Sequence, residues 1–508
     1  MTMLTDDVLS VRDYVDRNAI ERCDEVYLVN PETGRTVSFA ECQEQVQRIS
    51  ATIAAHGVEP GKPVAYAFSN SVDAALIILG ILYGGYLATS INLVAGESTI
   101  SYVLEHSEAQ LVIADEAASK LLSSVTARSI SPPTLVSQAE IINDDFNGHK
   151  PSVSINSNVD GLLMYTSGTT GKPKGVVLTQ ANLISGGHNT ATAHELTHTD
   201  RGLCVLPFYH INAFCVSLMG SLVSASSIVV PNKFSVSAFW QTVREHSCSW
   251  FSVVPTQISY LLHNAEEPGC DALGCDTLRF GRSASAPLSP DVHSAFEKRF
   301  GIPLIETMGL TETAAQILSN PLPPGVCKIG SPGIAFGNQV IIGDDQQQEV
   351  SQGIEGEILV RGGNVLRCYL KNEEATAEAI TKDGWLRTGD LGRMDQDGYV
   401  YVTGRLKELI IKGGENIAPR EVDEALYTHP DVVEAAAFAV TCMDYGQRVE
   451  AGVKLSEGSQ LTMDELLSIC HKKLGKFKSP DKIHILDGLP KGPSGKIQRI
   501  KLVEMLEQ

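Results

Sequence analysis

Basic residues are scarce in this chain. It carries 40 Lys and Arg against 60 Asp and Glu, which gives a formal net charge of -20 at pH 7. A surface of that sign repels nucleic-acid phosphates, so we expect no general nucleic-acid partner. A local anion site remains compatible with this charge, because a few cations and backbone N–H groups suffice to hold phosphate.

Paired cysteines are also missing. The eleven cysteines contain no C-x-x-C pair, and the closest two, Cys270 and Cys275, lack the second pair or the histidines of a zinc site. Scattered thiols are typical of a reducing compartment rather than of a disulfide framework. We therefore expect a cytoplasmic protein.

No apolar run is long enough to predict a membrane span. The first segment, MTMLTDDVLSVRDYVDR, has early acids and no apolar core, so we expect no signal peptide. Residues 74–94 contain no charge, but glycines and polar residues interrupt them. This pattern predicts a buried helix, a glycine turn and a buried strand.

Helical patterns alternate with short apolar strands through most of the 508 residues, as in PVAYAFSN followed by LIILGILYGG. After about residue 330, short β-like runs such as GEILVRG and GYVYVTG are separated by glycine turns, and a compact block follows Gly404. We predict an α/β fold with two domains. Residues 1–404 form a large, multi-lobed domain of mostly parallel layered sheets plus a β-rich lobe, and residues 405–508 form a small, mobile α+β domain.

The stretch YTSGTTGKPKGVV (residues 165–177) follows a short apolar strand. Its glycines let backbone N–H groups approach an anion, its hydroxyls add donors, and Lys172 and Lys174 neutralise charge. The spacing is not that of the P-loop NTPases. The stretch predicts a phosphate-binding loop.

This loop resembles the phosphate signature of the acyl-adenylating superfamily, which contains acyl-CoA synthetases, adenylation domains and beetle luciferases. ETMGLTETA, WLRTGDLG, GRLKELIIKGGENIAPREVD and LPKGPSGKIQR follow in that family's order. The resemblance implies AMP-forming activation of a carboxylic acid, with ATP, Mg²⁺ and coenzyme A as cofactors and co-substrates. It is closest to the acid–CoA ligase branch.

The resemblance also implies catalytic roles. Lys496 bridges the acyl oxygen and the α-phosphate, Thr311 contacts the α-phosphate, Glu312 holds Mg²⁺, and His210 lies beside the acyl pocket. A hard cation requires such oxygen ligands, and a lysine at the reacting centre offsets the repulsion between carboxylate and phosphate.

Two larger sets complete the implied site. Nucleotide and CoA contacts are assigned to Thr166, Ser167, Gly168, Thr169, Thr170, Lys174, Ser285, Thr307, Met308, Gly309, Asp390, Arg405, Gly413 and Gly414. The acyl pocket is assigned to Tyr209, His210, Asn212, Phe214, Val254, Gly281, Ser283 and Gly309. These residues form a mixed, modest pocket, which favours a small, aromatic or polar-substituted acid over a long fatty chain.

The second half-reaction is expected to need a domain rotation. By resemblance, the small domain turns about Lys407, removes Lys496 and brings Gly413 and Gly414 to a pantetheine channel. Free CoA is the expected thiol, with Lys412, Lys476 and Lys478 as candidates for its phosphates. The alternative is a stand-alone adenylation enzyme that loads a separate acyl carrier protein.

The chain departs from the family pattern in places. Met308 stands where an aromatic ring often stacks on adenine, although methionine also covers a ring face. KFSVSAFW and SNPLPPGV resemble oxalate–CoA ligases, yet Asn212 and Ala315 occupy positions where histidines bind the second carboxylate. Oxalate is therefore not the expected substrate.

A zinc-protease pattern provides a rival from another class. HELTH, residues 194–198, has the H-E-x-x-H spacing that places two histidines on one helix face. No G-x-x-H extension follows, and the motif lies between two adenylation motifs. We expect a chance match.

Overall fold

The computed structural model describes residues 9–126, 132–144, 155–166, 173–263, 274–491 and 497–506. Among the predicted site residues, Ser167, Gly168, Thr169, Thr170 and Lys496 lie outside these ranges, as does Lys172.

The strands group into separate sheets. In chain order they are β1 (Val26–Val29), β2 (Thr36–Ser38), β3 (Pro63–Ala67), β4 (Leu87–Ser90), β5 (Leu111–Ala114), β6 (Thr134–Ser137), β7 (Asp160–Thr166), β8 (Lys174–Thr179), β9 (Arg201–Cys204), β10 (Ser227–Val229), β11 (Trp250–Val253), β12 (Phe280–Ser283), β13 (Leu304–Leu310), β14 (Ala315–Ser319), β15 (Ile334–Ala335), β16 (Gln339–Gly343), β17 (Gly356–Arg361), β18 (Cys368–Tyr369), β19 (Leu386–Met394), β20 (Val400–Arg405), β21 (Ile410–Lys412), β22 (Glu415–Ile417), β23 (Val432–Cys442), β24 (Gly446–Leu455) and β25 (Lys482–Ile485).

Helices cover the sheets and connect many of the strands. They are α1 (Val11–Glu21), α2 (Phe39–Ala55), α3 (Val72–Tyr83), α4 (Glu97–Ser107), α5 (Glu116–Thr126), α6 (Gln138–Asn143), α7 (Gln180–Ala193), α8 (Gly220–Ser224), α9 (Val236–Glu245), α10 (Pro255–His263), α11 (Pro290–Phe300), α12 (Glu373–Ala379), α13 (Pro419–Tyr427), α14 (Met463–Lys478) and α15 (Arg499–Leu506), with a π-helix at Asn212–Met219 and a 3₁₀ turn at Thr311–Thr313.

Two layered sheets build the large domain. One has the strand order β15-β14-β13-β12-β11-β9-β10-β1-β2 and the other β18-β8-β7-β4-β3-β5-β6. Their central strands pair in parallel, and antiparallel strands lie at the edges. Parallel strands that are buried on both faces consist of nearly continuous apolar residues, so their positions can be predicted from the sequence.

The β-rich lobe and the small domain follow in the chain. Antiparallel β16-β17-β19-β20 forms the lobe, while β22-β21-β24-β23 with β25 forms the sheet of the small domain. Helices α13 and α14 pack on that sheet around their own core of buried residues. The predicted fold class is confirmed: a large N-terminal domain with parallel sheets is followed by a small α+β domain.

Local sequence signals explain several helix starts. Ser38 caps α2 and Thr179 caps α7, each in a reciprocal bond with the residue three positions later. The uncharged stretch 74–94 becomes α3, a turn at Gly84 and Gly85, and β4, as predicted. Within the described residues, no helix combines the length and apolarity needed to cross a bilayer.

Candidate active site

A cavity of about 260 Å³ lies between the two domains. Seven residues predicted from the sequence line it, six from the large domain and Arg405 at the domain boundary, and its small-domain wall is built from α13 and the chain around α15. The seven predicted residues are Val254, Ser285, Thr307, Met308, Gly309, Asp390 and Arg405.

The carboxyl ends of β12 and β13 form the floor of this cavity. In open parallel sheets, ligands bind at these ends. Ser285, just after β12, has φ +74°, a conformation that costs energy for a residue with a side chain and often marks a functional site. The Thr307 hydroxyl on β13 is buried and has no hydrogen-bond partner among the described residues, so it is available to a ligand.

Asp390 and Arg405 form the second wall. They are directly opposite each other on β19 and β20, and Arg405 Nε donates to Asp390 Oδ1 at 2.8 Å. Asp390 is only 8% exposed, and a charged group buried to this degree needs such a partner. The pair brings a carboxylate for hydroxyl groups and a cation for phosphate to one place.

Strands β7 and β8, which flank the predicted phosphate-binding loop, are connected to Glu312 through Tyr369. Thr166 ends β7, opposite Lys174 at the start of β8, and Lys174 Nζ lies 5.0 Å from the centre of the Tyr369 ring. The Tyr369 hydroxyl donates to Glu312 Oε1 at 2.9 Å. Burial, and then the Glu312 carboxylate, raise the pKa of Tyr369, so the phenol keeps its proton for this bond.

Glu312 and Thr311 share the 3₁₀ turn Thr311–Thr313, so their oxygens lie close together in the chain. A carboxylate oriented by a tyrosine hydroxyl is a suitable ligand for Mg²⁺, which prefers oxygen. The donor set therefore fits the metal.

The acyl-pocket residues lie around the start of the π-helix. Tyr209 and His210 are half-buried with ring centres 4.8 Å apart, and burial raises the pKa of Tyr209. Asn212 donates from Nδ2 to Ser285 Oγ at 3.3 Å, which links it to the cavity.

The other acyl-pocket predictions lie in packed surroundings. Phe214 and Ser283 have no exposed surface, and Val254 is 3% exposed but lines the cavity. A side chain at Gly281 would collide with the Phe251 ring. Phe214, Ser283 and Gly281 are therefore packed against neighbouring residues rather than exposed to an open pocket.

The hinge and glycine predictions fall in two turns of the chain. Lys407 is exposed in the turn between β20, the last strand of the β-rich lobe, and β21, the first strand of the small-domain sheet. Gly413 (φ +58°) and Gly414 (φ +86°) form the two-residue turn between β21 and β22, where positive φ at both positions favours glycine. Both glycines are exposed and outside the cavity wall.

The sequence analysis missed the small-domain wall. Arg499 Nη2 donates to Asp423 Oδ2 at 2.6 Å, and both residues line the cavity with Arg420 and Ile497. Ile497 pairs with Lys491 as an antiparallel bridge. Lys496, the predicted catalytic residue, directly precedes Ile497. The quoted motifs GGENIAPREVD and SGKIQR contained Arg420, Asp423 and Arg499, but nothing in their spacing indicated that they converge.

HELTH does not form a helical zinc site. Helix α7 ends at Ala193, and Glu195 has φ +50°. His194 is buried against the rings of Trp250 and Phe280, whereas the half-exposed His198 faces Glu25. Across the described ranges, no cluster of three or more His, Cys, Asp and Glu side chains suits a metal.

The α/β fold, the YTSGTTGKPKGVV stretch of the sequence, the Thr-Glu turn and the cavity together indicate an adenylate-forming enzyme. The AMP-binding enzyme model matches residues 15–370, and the model of its C-terminal domain matches residues 421–496. The chain belongs to the AMP-binding enzyme family.

Curated relatives and solved structures agree with this assignment. The chain is 42% identical to sulfoacetate–CoA ligase of Cupriavidus necator, covering 94% of each chain, and 35% identical to oxalate–CoA ligase of Arabidopsis thaliana, covering 91% of this chain and 92% of that one. ATP-bound MatB of Rhodopseudomonas palustris has a TM-score of 0.89 at 26% identity over 98% of this chain and 99% of that one. o-Succinylbenzoate coenzyme A synthetase of Bacillus subtilis, with ATP and magnesium, has a TM-score of 0.84 at 28% identity over 96% of this chain and 99% of that one.

These findings confirm the predicted activity. The protein is an AMP-forming acid–CoA ligase that uses ATP, Mg²⁺ and coenzyme A, with a small-molecule carboxylic acid as the substrate to be activated.

Proposed function

We propose that this ligase activates a short carboxylic acid that carries a second anionic group, with sulfoacetate as the representative compound. The observation that supports this is the acyl end of the site. There, Phe214 and Ser283 have no exposed surface, which disfavours a long acyl chain, and the amide of Asn212 meets the hydroxyl of Ser285. The sulfoacetate–CoA ligase at 42% identity supports the same class of acid.

In the first half-reaction, a carboxylate oxygen attacks the α-phosphorus of ATP and the bond to pyrophosphate breaks. We assign Thr166, Lys174 and the loop between them to the phosphates, Thr311 to the α-phosphate and Lys496 to the reacting centre. Asp390 is assigned to the ribose, Arg405 to the ribose or a phosphate, and Ser285, Thr307, Met308 and Gly309 to the base. Glu312 would hold Mg²⁺, which neutralises phosphate charge. Positioning and charge neutralisation carry most of such a reaction.

In the second half-reaction, the CoA sulfur attacks the acyl carbon and AMP leaves. We assign a rotation about Lys407 to this step, with residues 1–404 and 405–508 as the two moving domains. Gly413 and Gly414 would then border the pantetheine channel, and His210 would lie beside the acyl group. The rotation also delays the access of water to a reactive adenylate.

The acceptor and the compartment belong to the same proposal. A separate acyl carrier protein is the alternative acceptor that the sequence left open. We propose a cytoplasmic enzyme, because all ten cysteines in the described ranges are free thiols.

Pyrophosphate release across a panel of acids tests the proposal. The panel contains sulfoacetate, malonate, oxalate, propionate, benzoate and octanoate, each with and without CoA. We expect the highest kcat/KM with sulfoacetate or malonate and free turnover only with CoA. Preference for octanoate or benzoate would reject the proposed acid class. Acid-dependent release that CoA does not accelerate would point to a carrier protein.

A further inference from the structure

Arg282 is a buried cation whose hydrogen-bond partners among the described residues are all neutral. It lies on β12 and is 2% exposed. Its Nη1 donates to Asn212 Oδ1 at 3.0 Å and to Ser252 Oγ at 2.9 Å, and its Nη2 lies 3.4 Å from Gln316 Oε1. Burial lowers the pKa of Arg282 to about 9, so the guanidinium is still charged at neutral pH.

No nearby group in the described ranges neutralises this charge. No carboxylate there lies within ion-pairing distance of the guanidinium, and the guanidinium charge acts on the titratable neighbour His194. Burial first, and then Arg282 and Arg279, hold the pKa of His194 well below its usual range, so this imidazole is neutral. A buried charge without a counter-ion is costly, which is a reason to look for an anion that visits its surroundings.

The bond to Asn212 decides how that amide is oriented. A guanidinium only donates hydrogen bonds, so the atom of Asn212 that faces Arg282 has to be the amide oxygen. Ser252 Oγ contacts the same oxygen at 3.0 Å. The Nδ2 group of Asn212 therefore points away from Arg282, toward Ser285 Oγ at 3.3 Å, and Ser285 lines the cavity.

We propose that Arg282 is a positioning residue for substrate selection: it locks the Asn212 amide with its N–H donors toward the acyl end, and its charge favours acids with a distal anion. This inference rests on the proposed acid class and names the residues that select it. Arg282 acts through Asn212 and through its field, because its own side chain is not part of the cavity wall.

Two acids of nearly equal shape isolate the charge. Sulfoacetate has a distal sulfonate, and methylsulfonylacetate replaces it by a neutral sulfone. For the wild type we expect a higher kcat/KM with sulfoacetate. Arg282→Gln should lower that value at least 10-fold, mostly through KM, and should change the value for methylsulfonylacetate less than about 3-fold. The KM for ATP should stay constant, and Arg282→Lys should restore part of the selectivity.

Arg201→Gln is the matched control. Arg201 also donates hydrogen bonds to neutral groups, Ser227 Oγ and the His246 carbonyl. It lies in the same sheet on β9, three residues before Cys204, which is in register with Arg282 through Ser252 of β11. It should leave the selectivity unchanged. Asn212→Asp, which is nearly isosteric and gives Arg282 a counter-ion, should abolish the preference for sulfoacetate even if Arg282→Gln does not fold.

The possible outcomes distinguish the proposed acid class from the proposed role of Arg282. A wild type that turns over no acid with a distal anion rejects the proposed acid class and this inference with it. A wild type that prefers sulfoacetate, with equal losses for both acids in Arg282→Gln and Asn212→Asp, rejects only the role of Arg282. Unequal losses, confined to sulfoacetate, support it.

Discussion

At the residue scale, Gly309 lies where β13 approaches β14. A Cβ at this position would collide with the backbone carbonyl of Ala315, which cannot rotate away as a side chain could. Gly309→Ala should therefore cost roughly 2 kcal/mol or more of unfolding free energy and reduce adenylate formation. Urea unfolding measures the first effect and pyrophosphate release the second. Gly488→Ala, with open space around its Cβ and no positive φ, should be neutral; equal effects of both variants would contradict the steric argument.

The Tyr369 hydroxyl supplies a second test at this scale. Tyr369→Phe removes the bond to Glu312 Oε1 without emptying the site. Loss of a partner that orients a metal ligand weakens metal binding by about 10-fold or more, so we expect a corresponding rise in the Mg²⁺ concentration that gives half-maximal pyrophosphate release. Tyr401→Phe, which loses a longer bond to Asp395, is the control. An unchanged Mg²⁺ midpoint in Tyr369→Phe would argue against Glu312 as the metal ligand.

At the element scale, α10 of the large domain contacts the small domain at several points. Ser259 Oγ donates to the Val433 carbonyl at 3.0 Å, and the Tyr260 hydroxyl donates to Glu434 Oε1 at 2.7 Å. Lys491 Nζ lies 2.5 Å from the same carboxylate oxygen. Burial raises the pKa of Glu434, but Lys491 and Tyr260 outweigh it and hold that pKa below its usual range. The carboxylate is thus ionised and holds both domains in the arrangement that forms the cavity.

Tyr260→Phe tests this contact. A hydrogen bond to a charged group contributes about 1.5–3 kcal/mol, so loss of this one should lower adenylate formation roughly 10-fold by depopulating the arrangement. Thioester formation from a supplied acyl adenylate should not fall. Tyr83→Phe breaks a similar bond, to Asp16 within the large domain, and should affect neither step. Equal loss of both half-reactions in Tyr260→Phe would show that α10 does not distinguish the two arrangements.

Sequence patterns predicted the helices and strands better than the contacts between residues that are far apart in the chain. Apolar runs and glycine turns indicated β3, α3 and β4 because each depends on neighbours in the chain. The Thr-Glu turn was visible as a motif, but its partner Tyr369 lies 57 residues away and meets Glu312 only when β18 joins β8. The contact between Arg282 and Asn212 was likewise not predictable from the sequence. Its alternation with Phe280 on β12 indicates a shared face, but the sheet order decides that this face meets Asn212.

At the scale of the whole molecule, one cavity has walls from two domains that are joined through a short turn. Arg499 and Ile497 line it from the small domain, next to the predicted catalytic Lys496. We propose that the small domain contributes to adenylation and then moves, so that CoA can enter at the same place. The exposed turn at Lys407 lies between strands of different sheets, and we place this movement there.

Two variants should separate adenylate formation from thioester formation. Lys407→Pro fixes φ at one position of the turn, so it should spare pyrophosphate release and block thioester formation. Lys496→Ala should do the reverse, because it removes the cation that we assign to the reacting centre and leaves the turn unchanged. Single-turnover pyrophosphate release measures the first step, and CoA-dependent consumption of a supplied acyl adenylate measures the second. Unchanged overall turnover in Lys407→Pro would reject the hinge, and equal loss of both steps in Lys496→Ala would reject its role in adenylation. Opposite defects would mean that the enzyme uses one site twice, with the small domain in a different position each time.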